Sequence, residues 1–229
     1  MNARRKTARI AGVLYLLMAI TGAFSIMYIP STFIVPGDAA ATAGRIQASE
    51  TLYRAGIASD LVTQLLFIAL VLILYQLLES VDRRVASLMV ILVLVSVPMA
   101  MINTLNLAAP LILSSNAAFL SAFAKPQLDA LSLTFLNLRG HGVSTVSIFW
   151  GLWLFPFGLL VYRSRFIPRI LGVFLMAGCF AYLIDSFTAL LLPAYAPTVS
   201  QFTVIPLAIG EFAMIFWLLI RGVRETPGR

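Results

Sequence analysis

The chain has 229 residues, of which 61% are hydrophobic and only 11% charged, with a formal net charge of +7. That is too little polar surface to cover a soluble globule of this length, so a water-soluble enzyme or carrier is excluded and lipid is the expected surrounding. The positive balance comes without a clustered basic domain or an aromatic-basic motif, which excludes nucleic acid as a partner.

Six apolar stretches follow one another at about residues 10–29, 57–78, 85–113, 143–162, 170–192 and 202–220. Each approaches or exceeds the ~20 residues a helix needs to cross ~30 Å of hydrocarbon. The sequence therefore predicts an all-α bundle of six transmembrane helices, with residues 1–229 forming a single integral membrane domain. The first stretch follows Arg4, Arg5, Lys6 and Arg9 and runs into small residues around Thr21 to Ser25, as a secretory signal does. Its apolar run is longer than a signal core and no clear Ala-x-Ala site follows, so it is expected to stay as a span.

Pro30 and Pro36-Gly37 are expected to end the first helix in a loop, with residues 39–48 helix-prone and lying along the interface. The longest connections, about residues 30–56 and 114–142, are too short to carry a soluble core of their own. Pro168 suits the first turn of the fifth helix. Pro193 and Pro197 close its far end, and the short link makes the fifth and sixth helices antiparallel neighbours. Pro98, Pro156 and Pro206 fall inside spans and permit kinks. Gly12, Gly22, Gly151, Gly158, Gly172 and Gly178 read as points of close helix approach. No internal repeat is visible, so the inverted-repeat signature of many transporters is absent. A single cysteine, Cys179, excludes an intrachain disulfide and a cysteine-cluster metal site.

The cations between the stretches alternate between dense and sparse. Arg4, Arg5, Lys6, Arg9, Arg83, Arg84, Arg163, Arg165, Arg169, Arg221, Arg224 and Arg229 fall on one side, twelve in all, and Arg45, Arg54, Lys125 and Arg139 on the other. The excess of Lys and Arg on cytoplasmic segments places both termini in the cytoplasm. The Tyr162-Arg163-Ser164-Arg165 segment then meets the cytoplasmic surface, where each arginine gains ~1 kcal/mol from anionic headgroups.

Function in such a protein concentrates where ionisable and amide groups enter the spans, because a charge in hydrocarbon is costly and turns to the interior. Asp60, Asn103, Asn106, Arg139, His141 and Asp185 are all expected in the outer half, with Glu211 deepest, near the centre of the sixth span and five residues after Pro206. Helical spacing puts Asp60 with Gln64, His141 with Ser144 and Thr145, and Asp185 with Tyr182. Asp60, Asp185, Arg139 and His141 are expected to converge in one polar cluster with Glu211 as its floor. These residues either hold a cation, proton or small ligand or neutralise one another across helices; for Asn103 and Asn106, interhelical hydrogen bonding is the simpler role.

One histidine excludes bis-histidine haem ligation and multi-histidine zinc sites; His141 with Asp60, Asp185 and Glu211 is a metal set in principle only, and neither a metal nor a cofactor is expected. No phosphate-cradling Gly-x-x-x-x-Gly-Lys-Ser/Thr and no Gly-x-Ser-x-Gly elbow is present. His141 and Ser144 lie one turn apart, a spacing too common to assign a nucleophile.

The runs Leu52-Tyr53-Arg54-Ala55-Gly56-Ile57-Ala58-Ser59-Asp60-Leu61 and Leu74-Tyr75-Gln76-Leu77-Leu78 resemble the second-helix signature of domain-of-unknown-function family 4386. The segments from His141-Gly142 through Phe149-Trp150-Gly151-Leu152 to Val161-Tyr162-Arg163-Ser164, then Ile167-Pro168-Arg169-Ile170-Leu171-Gly172 and Tyr182-Leu183, resemble it too. The resemblance implies a small multi-pass protein of the bacterial inner membrane and brings no reaction with it. The leading reading is binding or transport of a small ligand or ion through an outward-facing polar pocket. The alternatives are a non-catalytic membrane subunit or sensor, and an enzyme acting on a lipid-like substrate with His141 or Glu211 as general base; catalysis ranks below binding. The lipid bilayer is an expected partner, with a small ligand or ion beside it, and oligomeric state is left open.

Reporter fusions after Glu79 and at the C-terminus should read cytoplasmic, and fusions near Gly44 and Lys125 external. A cytoplasmic Lys125 would break the six-span topology.

Overall fold

A computed structural model describes residues 3–115 and 117–223; Arg224 and Arg229 lie outside the described residues. Helices make up the described chain, and no strand occurs among the described residues. The α-helices are α1 (Ala3–Ala23), α2 (Ile29–Phe33), α3 (Ala39–Ala48), α4 (Glu50–Leu78), α5 (Arg83–Leu113), α6 (Lys125–Leu152), α7 (Leu154–Ser164), α8 (Arg169–Leu191) and α9 (Ala196–Ile220). Together they supply six helical stretches long and apolar enough to cross a membrane: Arg4–Phe33, Glu50–Leu78, Arg83–Leu113, Lys125–Ser164, Arg169–Leu191 and Pro193–Ile220. This is the architecture of a multi-pass membrane protein.

Local chemistry sets the boundaries. Asp38 caps α3 by accepting from the Ala41 N–H at 2.8 Å, and Asp82 Oδ1 accepts from the Arg84 and Val85 N–H groups at the start of α5. Pro30 was expected to end the first helix and does not. Having no N–H, it cannot donate to the carbonyl of Ile26, and the chain widens beforehand into a π-turn, Phe24–Tyr28, in which the Ile29 N–H donates to the Phe24 carbonyl. The helix resumes as α2 and stops where Ile34 turns extended. Pro36-Gly37 then forms the expected turn, with Gly37 at φ 77°.

Pro156 acts similarly on the fourth span, where α6 and α7 are separated at Trp153. Pro168 caps α8 from just outside it, and a single short turn, Pro193–Tyr195, returns the chain into α9, which packs on α8 as its neighbour.

The largest departure from the sequence reading lies in residues 114–142. They were expected as a loop, yet α6 begins at Lys125. Its first half carries Asp129, Ser132 and Arg139 at near-helical spacing with Leu136, and all four are buried. A helix whose buried side is polar lowers the local hydropathy without losing helicity, so an apolar-run criterion starts it too late.

The chain divides into two compact units. The first comprises Met1–Leu17, Leu65–Pro98 and Ser144–Arg229; the second comprises Met18–Gln64 and Met99–Val143. Arg45, Arg54, Lys125 and Arg139, the four cations of the sparse side, all belong to the second unit, and the described cations of the dense side all belong to the first.

In the first unit Trp153 stacks on Phe157 with ring centroids 5.2 Å apart and meets Phe67 edge-on at 5.1 Å. Arg163 pairs with Asp82 at 3.0 Å, and Arg4 donates to Ser80. Gly158 and Gly172 face each other across α7 and α8 so closely that a Cβ on either would stand 2.6 Å or 2.5 Å from the other's carbonyl oxygen. In the second unit Ile29, Phe33, Ile46, Tyr53, Leu107 and Leu136 form the core, with the Tyr53 hydroxyl donating to the Leu107 carbonyl at 2.9 Å.

Gly158→Ala and Gly172→Ala should each destabilise the protein by about 1–3 kcal/mol through forced separation of α7 and α8. Gly44→Ala, in open space on α3, should be neutral or slightly stabilising. Thermal unfolding of the detergent-purified variants measures both; equal melting temperatures for all three would contradict the packing.

Candidate functional site

The second unit is built around Asp60, 2% exposed on α4. Its carboxylate accepts from three other elements: Arg139 Nη2 on α6 at 2.8 Å, Ser25 Oγ in the π-turn at 3.1 Å, and Thr104 Oγ1 on α5. The guanidinium itself is 7% exposed, so both charges are out of solvent. Such a pair persists only if its remaining hydrogen-bonding capacity is met, and the two hydroxyls meet it on the carboxylate side.

A polar ladder continues along α5. Asn106 Nδ2 donates to Asn103 Oδ1 at 2.9 Å, and Asn103 Nδ2 donates to the backbone carbonyl of Arg139 at 3.1 Å. A Cβ at position 142 would collide with the Asn103 amide, so Gly142 is what lets this asparagine reach the α6 backbone. Asn103 thus bonds between helices, as the sequence indicated, whereas Asn106 bonds to Asn103 within α5.

On the guanidinium side the accounting is incomplete. Arg139 Nε is buried with no hydrogen-bond partner, and Arg139 lines a cavity of about 200 Å³ with Ser25, Ile26, Ile29, Pro30, Tyr53 and Val143, among others. A larger cavity, about 430 Å³, lies in the same unit beside Lys125, Asp129 and Ser132, where Lys125 Nζ pairs with Asp129 at 2.7 Å.

The other candidates lie elsewhere. Asp185 belongs to the first unit, where Oδ1 accepts from Ser200 at 2.6 Å and Thr203 at 2.9 Å, tying α8 to α9. Glu211, also in the first unit, is half-buried; Oε2 accepts from Tyr15 at 2.7 Å and Oε1 from Tyr182 at 3.0 Å. Tyr182 shares a face of α8 with Asp185, as its spacing indicated, and its hydroxyl donates to Glu211. His141 is exposed on α6; its i+2 spacing from Arg139 turns it away from the side that meets Asp60. Of the four residues expected to cluster, the structure joins Asp60 and Arg139.

Ser25, Thr104, Tyr15 and Tyr53 escaped the sequence reading. Thr104 carried a usable signal, standing between Asn103 and Asn106 in an otherwise apolar helix, and Tyr53 stood within the signature run before Asp60; Ser25 and Tyr15 carried none.

Each carboxylate here faces protons rather than lone pairs, so a cation would have to displace protein donors to bind. Among the described residues no group of three or more His, Cys, Asp or Glu side chains gathers to hold a metal.

Residues 10–222 match the family described as a domain of unknown function, DUF4386. The chain belongs to that family. It is also similar to an uncharacterized protein of Archaeoglobus fulgidus, 36% identical over 75 residues. That match covers 33% of this chain and 43% of the relative, so the chain spans less than half of the relative's length. No solved structure matches.

Glu211→Leu should cost about 1–3 kcal/mol for each tyrosine hydroxyl left without an acceptor, whereas Glu211→Gln, which keeps one carbonyl oxygen and gives the other hydroxyl an N–H to accept from, should cost less. Adding Tyr15→Phe and Tyr182→Phe to Glu211→Leu should recover part of the loss, read as melting temperature; strictly additive losses would show that the three groups do not interact.

Proposed function

We propose that this DUF4386 protein sits in the bacterial inner membrane with both termini cytoplasmic, and that it binds or transports a small ligand through an outward-facing cavity beside Arg139 in its second unit. One observation carries the reading: Arg139, 7% exposed and paired with Asp60, is the one charged residue lining a cavity of about 200 Å³. A concave, mostly apolar site with a few polar groups on its wall is the usual form of a small-ligand site.

The charge partition supports the orientation. Twelve Lys and Arg fall on one set of connections and four on the other, and such an excess marks the cytoplasmic side. The carboxylates, already accepting from protein donors, weigh against a cation as the ligand. A second reading, a non-catalytic membrane subunit, is favoured for the first unit by Asp185 and Glu211, whose oxygens are already taken up by Ser200, Thr203, Tyr15 and Tyr182.

Native mass spectrometry of the protein released from its own membrane tests the ligand reading. The wild type should carry a discrete small-molecule adduct that Val143→Trp, which fills the cavity from its wall, removes. The same adduct pattern in both proteins, or none in either, would contradict it.

A further inference from the structure

The larger cavity of the second unit has a chemistry independent of the one beside Arg139. We infer that it binds a primary ammonium group on a compact apolar body, which takes the place of Lys125 on the Asp129 carboxylate.

Asp129 and Lys125 are the charged residues on the wall of this cavity of about 430 Å³, and they pair at 2.7 Å. They are unequally held, since Asp129 keeps 10% of its side-chain surface exposed and Lys125 68%. A pair with so exposed a partner is weak, and the lysine can turn to solvent at little cost. The carboxylate cannot follow. It sits on the buried side of α6 with Ser132 and Leu136, where a charge left without a partner is strongly unfavourable. A second ammonium therefore suits it as well as the first. Asp60, Asp185 and Glu211 differ, because each accepts from two or more donors that are themselves held in the helices, whereas Lys125 is the one donor to Asp129 among the described residues.

The rest of the wall also accepts rather than donates. Ser114, Ser121 and Ser132 spend their protons on the carbonyls of Leu111, Ala118 and Leu128, which leaves their oxygens as acceptors. At the start of α6 the Ala124 N–H is taken by Gln127 Oε1 at 2.8 Å, and Pro126 has none. An anion would find Lys125 and then face Asp129. A divalent metal needs several oxygen or nitrogen ligands, and no group of three or more His, Cys, Asp or Glu gathers among the described residues.

Size and lining give the remainder of the ligand. The volume falls within the ~300–1,000 Å³ usual for small-molecule sites. Ile46 of α3, Leu113 of α5, Leu120 of the short turn Ala118–Ala122 and Leu128 of α6 supply apolar surface from four directions. Exposed Gln47, Ser121 and Phe123 put one side of the wall at the molecular surface, which gives the ligand its entry.

The displacement of Lys125 can be read directly, because the chain has two lysines, Lys6 and Lys125. The full chain, carbon-13 labelled at lysine, is placed in nanodiscs of phosphatidylcholine, which has no primary ammonium, and the Lys125 signal is assigned by its absence in Lys125→Met. Hexylamine should move that signal saturably and leave Lys6 unmoved; hexanol and hexanoate, with the same tail, should not compete with it. Replacing part of the lipid with phosphatidylethanolamine separates two sources of the ammonium. A weaker apparent affinity for hexylamine there identifies the lipid headgroup as an occupant, and an unchanged one identifies a free amine.

Calorimetry against empty nanodiscs then compares variants. Asp129→Asn should weaken hexylamine at least about tenfold, whereas Lys125→Met, which removes the competitor and keeps the carboxylate, should tighten it by up to about fivefold. A pair that serves folding alone would give no saturable binding to change in either direction. Ser121→Trp fills the mouth from an exposed position, leaves both charges in place and should abolish binding, which keeps the test decisive if Asp129→Asn does not fold. Absence of saturable hexylamine binding, hexanoate binding as tightly, or weaker binding in Lys125→Met overturns the inference.

Discussion

Removing a carboxylate and a guanidinium from solvent costs several kcal/mol per ion, and their mutual attraction offsets this only when geometry and the remaining hydrogen bonds are good. The Asp60–Arg139 pair imposes that condition on the second unit. Four separate elements must arrive together: α4 with the carboxylate, α6 with the guanidinium, α5 with Thr104, and the π-turn with Ser25. A structure that omitted any one would leave a buried charge short of a partner. The tertiary arrangement of this unit follows from that requirement more directly than from apolar contact, since lipid tails reward Leu and Ile as well as a protein interior does.

The same condition explains local features that look unfavourable in isolation. The widened turn before Pro30 places Ser25, 1% exposed, within reach of Asp60. Gly142 gives up side-chain packing on α6 so that Asn103 can hold the backbone carbonyl of Arg139. Asp129 and Ser132, buried on the earlier turns of α6, extend its polar side toward the larger cavity. The first unit contrasts with this. It is organised by aromatic stacking around Trp153 and by the close approach of Gly158 and Gly172, and its interior carboxylates, Asp185 and Glu211, take neutral hydroxyl donors instead of cations.

How much of this was legible in the sequence depended on whether the signal was local. The six spans were legible because apolar length is a property of contiguous residues, and the family signature lay in contiguous runs around Asp60 and Tyr162. The start of α6 was not: Asp129 and Ser132 read as a loop because their burial depends on partners in other helices. Pro30 was misread for a related reason, since the π-turn that accommodates it is visible only in the hydrogen bond from Ile29 to Phe24. Asp60 and Arg139 were identified as candidates by the cost of charge in hydrocarbon, and pairing them was a guess among several that the structure decided. Tyr182 shows the limit of spacing arguments. It shares a helix face with Asp185 at i−3, yet its hydroxyl goes to Glu211 on another helix.

The central claim is that one buried ion pair holds the second unit together, and a double-mutant cycle on folding stability tests it most directly. Asp60→Asn and Arg139→Gln should each cost about 3–5 kcal/mol, because either leaves its partner charged and unpaired out of water. The double variant, with two neutral amides of matching hydrogen-bond capacity, should cost less than the sum by at least about 2 kcal/mol. Additive losses, or single variants as stable as the wild type, would contradict the account.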